Sequence, residues 1–258
     1  MKLIDQIAQR LNKKITKYNW GLYRRQYVER LELSKRRSNV FLNLKENQKK
    51  IINKYYLDSR TQIYQDLFVL TELGDVQDGY FVEFGATNGS EGSNTYLFEK
   101  MLGWNGILAE PAKVWHKELF KSRECNIETS CVWVDSNSSF NFFESDIPTL
   151  STLSEFRESD HYKRVEGNQY KVQTISLIDM LVKYNAPSEI DYLSIDTEGS
   201  EYEILNSFDF NRYKINIITV EHNWTSNRDK IFDLLVSKGY KRVYESISLF
   251  DDWYILKK

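Results

Sequence analysis

The sequence predicts an α/β protein: a mostly parallel, Rossmann-like sheet with helices on both faces and a helical extension at the amino terminus. Three observations carry this. A β-rich run, Tyr80–Phe84, enters a turn bearing Gly85 and Gly89, and an amphipathic segment over residues 94–102 follows. Strand, tight loop and helix in that order open nucleotide-binding sheets. Strand-like and helix-like segments then alternate toward the carboxyl terminus, the pattern of parallel pairing. Finally, Glu83, Glu110, Asp196 and Glu221 stand at carboxyl ends of expected strands, the edge where such sheets hold ligands.

The amino-terminal third reads as helix. Ile4, Ile7, Leu11, Ile15 and Tyr18 repeat at three- and four-residue spacings with lysines and arginines between them, as in a basic amphipathic helix. Further helix is expected after Gly21 and over residues 45–73, where Ile51, Ile52, Tyr55, Ile63, Leu67 and Leu70 form an apolar stripe. No proline precedes Pro111 to interrupt it. The first 60 residues hold sixteen Lys/Arg against five Asp/Glu. With a net charge of −2 for the whole chain, the rest is acidic. Residues 1–60 are therefore expected to be a basic arm and 61–258 the catalytic body. Such an arm either caps the body or docks on an anionic membrane face or an acidic protein partner. No nucleic-acid-binding motif accompanies the charge, so nucleic acid is not an expected partner.

After the glycine loop, residues 106–110 read as a second strand ending in an acid, and 112–122 as a helix. Residues 129–134 and 140–143 are short strands. Residues 145–167 are polar and too long for a routine connection, so a lid or substrate-binding segment is expected. Strand 170–175, helix 177–184, strand 190–196 and a helix from Glu201 follow. Then come strand 215–221, a helix over Asn227–Ser237 and a closing antiparallel pair at 240–244 and 253–256.

Composition bounds the class. Hydrophobic and charged fractions of 41% and 28% are those of a globular protein, and no apolar run approaches membrane-span length. Cys125 and Cys131 stand six apart without a histidine cluster, which supports neither zinc nor a disulfide framework and suits the cytoplasm. Aromatic residues at 14% fit either a tyrosine-rich core or stacking on sugar-like ligands.

The loop chemistry narrows the ligand. Glu110 lies 25 residues after Gly85, about where a dinucleotide fold places the acid that accepts ribose hydroxyls. Both NAD and S-adenosylmethionine satisfy that. A pyrophosphate needs a second glycine two residues after the first, and position 87 is threonine. Glu83 would repel a diphosphate and attract an ammonium or sulfonium. An NAD-linked oxidoreductase is thus disfavoured, and a non-catalytic docking module is disfavoured by the retained acids and glycines.

Four stretches together resemble a known family. They are Phe81-Val82-Glu83-Phe84-Gly85-Ala86-x-x-Gly89, Ser93-Asn94-Thr95-x-x-Phe98-Glu99, Gly103-Trp104-x-Gly106-x-Leu108-x-Glu110-Pro111 and Ile195-Asp196-x-Glu198-Gly199-x-Glu201-x-x-Ile204-Leu205. They look like FkbM family methyltransferases, over roughly residues 60–258. The resemblance implies a class I methyltransferase with a seven-stranded sheet that uses S-adenosylmethionine to O-methylate a sugar, a polysaccharide or another hydroxyl-bearing metabolite. It places Glu83, Gly85 and Gly89 around the methionine moiety and Glu110 on the ribose. Ala86, Asn94, Thr95, Pro111 and Asp196 complete the expected cofactor site. Many members open the first motif with Asp rather than Glu83, which leaves the carboxylate role intact.

Methyl transfer requires alignment and deprotonation of an acceptor oxygen. The adjacent strand ends carry Asp196 and Glu198 on one side and Glu221, His222 and Asn223 on the other. Two routes stay open. Asp196, Glu221 and Asn223 resemble the site of Mg²⁺ or another divalent cation in metal-dependent O-methyltransferases. Alternatively Asp196 or His222 acts as general base without a metal, and Glu198 is counted with them as catalytic. Asn223 and Glu221 equally suit helix capping. His116 reads as structural, and His161 in the long loop as a substrate contact. A carbohydrate or polysaccharide acceptor, a cytoplasmic or inner-membrane-face location and an oligomer are all compatible with this reading.

Overall fold

The computed structural model describes residues 44–257. The expected helices before residue 44 lie outside the described residues. Residues 45–258 form one compact unit, distinct from 1–44. Helix α1 (Glu46–Tyr55) pairs with α2 (Gln65–Leu73). Its Gln48 donates to Glu72 and to Tyr244, 196 residues away. Residues 45–60, the end of the expected basic arm, therefore belong to the body.

Strand β1 (Tyr80–Phe84), helix α3 (Tyr96–Leu102), β2 (Asn105–Ala109), α4 (Lys113–Ser122) and β3 (Asn126–Glu128) follow in order. Then come β4 (Cys131–Trp133), β5 (Ser139–Ser145), β6 (Thr152–Leu153) and β7 (Gly167–Ser176). Helix α5 (Leu177–Lys183), β8 (Glu189–Ile195), α6 (Glu201–Ser207), β9 (Lys214–Glu221), α7 (Asn227–Ser237), β10 (Tyr240–Val243) and β11 (Asp251–Leu256) complete the chain.

Seven strands form the main sheet in the order β10-β11-β9-β8-β1-β2-β3. All neighbours from β9 to β3 pair in parallel, and β11 inserts antiparallel between β10 and β9. The expected closing pair is present. The central strands are mostly apolar, as strands covered on both faces are. Val82, Ile107, Ile190, Leu193 and Ile218 are all fully buried. Strand order reverses between β1 and β8, so the crevice at their carboxyl ends is the topological switch point.

Two expectations are corrected. The third strand of the main sheet is β3, which pairs Ile107–Ala109 with Asn126–Glu128. Residues 131–133 instead join a second, four-stranded sheet ordered β4-β7-β5-β6. This second sheet has its own core of Ala112, Cys131, Phe142, Leu153 and Val172. The long polar segment is tied together by two arginines, of which Arg157 donates to the carbonyls of Arg164 and Val165. Arg164, only 3% exposed, donates to the carbonyls of Leu150 and Arg157 and to both oxygens of Asp160.

Candidate active site

The loop after β1 is built around two buried charges. Glu83 ends up almost sealed, because its carboxylate accepts from Ser93 Oγ at 2.9 Å, Asn94 N at 2.8 Å and Thr95 Oγ1 at 2.5 Å. Burial raises its pKa, against the pull of Arg123 and these three bonds. Arg123, fully buried, sits 4.0 Å from Glu83 and 2.6 Å from Glu99. It donates to Gly89 O, Ser93 Oγ and Thr95 Oγ1. Glu83 therefore organises the loop from beneath. Its Oε2 accepts both hydroxyls, whereas Oε1 accepts only Asn94 N and keeps a second lone pair. Thr95 is committed inward.

The two glycines are required by the chain itself. A Cβ on Gly85 would lie 2.0 Å from the Asp196 carbonyl oxygen, and one on Gly89 would meet Leu119, Ser122 and Arg123 below 3 Å. Both have positive φ, +70° and +74°. Gly85 lets the β1 loop touch the end of β8, and Gly89 lets it rest on α4. Ala86 is buried between them and accepts from Gly89 N.

Other expected cofactor residues retain capacity for a ligand. Glu110 accepts one backbone N–H on each oxygen, from Thr87 and Ala112, both at 2.8 Å. Each oxygen keeps a second lone pair for a ribose hydroxyl. Burial drives its pKa up to about 7, against those two bonds. Pro111, half-buried, follows it into α4, and His116 holds the Glu110 carbonyl at 2.9 Å. Asn94 donates through Nδ2 to Ser194 Oγ at 2.9 Å, while its Oδ1 is buried without a donor. An orphaned buried acceptor is costly unless a ligand completes it. The ammonium of S-adenosylmethionine supplies such a donor, and the ribose diol supplies donors for Glu110, so the residues fit that cofactor.

Asp196, Glu198 and Glu221 converge at the neighbouring strand ends. Their carboxylate oxygens lie within 4.8 Å of one another. Burial raises all three pKa values, Asp196 to about 7 and Glu198 to about 9, and Glu221 also rises through repulsion from Asp196 and Glu198. Beneath them Glu201 accepts from Thr197 N, Thr197 Oγ1 and Gly199 N, each at 3.0 Å. That clamp fixes the turn in which Glu198 takes a φ of +59°.

The donor set is hard oxygen and suits Mg²⁺, and it brings Glu198 beside the expected Asp196 and Glu221. The expected Asn223 donates through Nδ2 to Glu221 Oε2 at 2.8 Å and so orients that carboxylate. Glu198 is also held by Arg164 Nη2 at 2.5 Å, so a cation would share this carboxylate with a guanidinium.

His222, an expected base, is engaged within the turn after β9. Its Nδ1 accepts from Trp224 N at 3.0 Å, and its Nε2, without a hydrogen bond, faces Asp252 at 3.7 Å. The ring is buried and its pKa is lowered by that burial. Asp252 is itself clamped by Arg228 and Arg242. The imidazole braces the turn after β9. His161, expected near substrate, is exposed and lies 4.3 Å from the Tyr162 ring and 6.3 Å from Trp224.

Sequence reasoning missed Arg123, Arg164, Tyr162 and Trp224. Arg123 carries no local signal, because its carboxylate partners lie 24 and 40 residues away, and Arg164, though four residues from Asp160, reaches Glu198 across 34.

A family model described as the methyltransferase FkbM domain matches residues 83–252. No curated protein sequence matches the chain. Among solved structures it is similar to precorrin-6y C5,15-methyltransferase from Geobacter metallireducens GS-15. That similarity has 11% identity over 74% of this chain and 85% of that one, with a TM-score of 0.41. It is also similar to a chain of a fibrillarin/Nop5p complex, at 11% identity over 70% of this chain and 73% of that one, with a TM-score of 0.36. The matched span runs from the acid of β1 through the carboxylate cluster into β11, and the chain belongs to the FkbM methyltransferase family.

Proposed function

We propose that this methyltransferase transfers a methyl group from S-adenosylmethionine to a hydroxyl of a sugar or polysaccharide. The observation that carries the reading is the convergence of Asp196, Glu198 and Glu221 carboxylate oxygens within 4.8 Å of one another, on a strand end that the glycine loop touches at Gly85. S-adenosylmethionine, when bound, supplies an electrophilic methyl carbon on a sulfonium, which the acceptor oxygen takes as the carbon–sulfur bond breaks. Asn94 Oδ1 and Glu110 would hold the ammonium and ribose ends. Asp196 would receive the hydroxyl proton. A base works best with a pKa near the operating pH, and burial has brought Asp196 to about 7. Glu221 and Asn223 would keep it oriented. The same carboxylates, Asp196, Glu198 and Glu221, would hold a divalent cation that acidifies the hydroxyl.

The proposal extends to location. Among the described residues no helix is long and apolar enough to cross a membrane. The lysine- and arginine-rich arm would hold a cytoplasmic enzyme near an anionic membrane face, each basic group contributing about 1 kcal/mol there. Unchanged membrane association after removal of residues 1–44 would dispose of that part.

The reaction is tested by incubating the protein with S-adenosylmethionine, with and without Mg²⁺, and a panel of saccharides, phenols, amines and carboxylic acids. Mass spectrometry should find a saccharide heavier by one CH₂, and Asp196→Asn should abolish the gain. Methylation of another class with every saccharide untouched would overturn the acceptor assignment.

A further inference from the structure

Trp224 is an anomaly of placement. It follows β9 by three residues and is 58% exposed. With Asn223 it forms two consecutive non-glycine residues at positive φ, +43° and +55°. Such backbone is unfavourable and persists only where its surroundings over-determine it, commonly at functional sites. Here they do. Asn223 N donates to Phe250 O, Trp224 N to His222 Nδ1 and Thr225 N to His222 O. The Asn223 side chain is tied to Glu221. The buried His222–Asp252 pair and its two arginines sit behind this turn. The fold thus fixes a strained turn and leaves its largest side chain in solvent, where it gains little from burial.

A second segment brings aromatic surface to the same place. Tyr162, 38% exposed, lies against His161, whose ring is tilted to that of Trp224 at 6.3 Å, and Phe250 meets the indole edge-on at 6.5 Å. After burial, the charges of Glu221, Glu198, Asp160 and Asp196 raise the Tyr162 phenol's pKa, so it stands in the field of the cluster. The loop carrying it is anchored through Arg164 to Asp160 and Glu198. Flat apolar faces and hydroxyl-accepting carboxylates therefore meet at one sheet edge.

A ligand matching both has an apolar face of C–H groups and a rim of hydroxyls, as a pyranose ring does. We propose that Trp224, flanked by His161 and Tyr162, is the acceptor platform: the C–H face of a pyranose stacks on the indole and one hydroxyl is directed to Asp196 and Glu221. The assignment of Asp196 and Glu221 rests on the methyl-transfer reading above, whereas the platform stands on its own geometry.

The test is saturation-transfer NMR of a panel of methyl pyranosides with the full chain in the presence of S-adenosylhomocysteine, comparing wild type, Trp224→Ala and Trp224→Phe. Trp224→Ala should weaken saccharide binding about tenfold or more, the scale of one lost stacking contact, and Trp224→Phe should keep most of it. S-adenosylhomocysteine-induced thermal shifts should be equal in all three, which separates a lost platform from a lost fold. Saccharide binding undiminished in Trp224→Ala, or absent from the folded wild type, overturns the platform. Saccharides that bind through Trp224 and are never methylated would sink the reaction assignment and leave the platform standing.

Discussion

The Nη2 atom of Arg164 lies 2.5 Å from Glu198 Oε2, joining the long loop to the carboxylate cluster across 34 residues of sequence. Arg164 is a cation on which that loop folds, and Glu198 is pressed by Asp196 on its other side. Removing one member of a buried pair strands the other. Arg164→Met should therefore destabilise the protein by about 3–5 kcal/mol. The double variant Arg164→Met/Glu198→Gln should lose less than the sum of the single losses, since the contact between the two is lost only once, while Asp160 stays stranded in both Arg164 variants. Urea unfolding of the four proteins checks this, and strict additivity would refute the coupling.

Gly85 offers a sharper steric case. Its Cβ position falls 2.0 Å from a backbone carbonyl, which cannot swing away as a side chain can. A left-handed alanine alone costs about 1–2 kcal/mol. Gly85→Ala should exceed that, because the β1 loop and the end of β8 must also part. Loss of S-adenosylhomocysteine-induced thermal stabilisation together with a lowered melting temperature is the expected result. A melting temperature within a degree or so of wild type would contradict it.

The sheet was legible because its strands are apolar runs and its acids sit past their ends, features that periodicity and spacing expose. What stayed hidden depended on distant partners. Glu83 reads as a buried carboxylate needing company, yet nothing nearby in sequence names Arg123 as its charge partner. Asn126–Glu128 offers a single apolar residue, Ile127, so the third strand was placed on the more apolar 129–134 stretch. Segments 131–133 and 139–145 look like ordinary strands, and only pairing assigns them to a second sheet. For His222, a histidine past a strand end gives no hint that Trp224 N and Asp252 lie against its two ring nitrogens.

Glu110→Gln tests the ribose end of the cofactor site. A carboxylate accepts both Thr87 N and Ala112 N, whereas a carboxamide accepts only one and turns its NH₂ toward the other donor. Leaving a buried donor unpaired costs about 1–3 kcal/mol, and a hydroxyl acceptor is lost as well. S-adenosylhomocysteine affinity measured by calorimetry should fall roughly ten- to hundredfold. Undiminished affinity would remove Glu110 from the cofactor site.

The last prediction concerns pH. Asp251 is buried, accepts from Gln65 Nε2 at 2.9 Å, and has its pKa raised from 3.8 to about 7 by that burial. Below 3.8 the acid is protonated in both folded and unfolded chains. Between 3.8 and about 7 the folded chain holds a proton that the unfolded chain has released, so stability falls as pH rises through this window. Above it the full cost remains, on the order of 2–4 kcal/mol. Glu110 and Asp196, also raised to about 7 by burial, act in the same direction. His222 opposes them, because its lowered pKa favours unfolding as pH drops through its window. The single variant Asp251→Asn isolates one contribution, since asparagine can accept from Gln65 and does not ionise. Its stability relative to wild type should rise steadily from pH 5 to pH 8 in urea unfolding, by about 1–3 kcal/mol. Parallel stability curves for the two proteins would show that Asp251 does not titrate in this range.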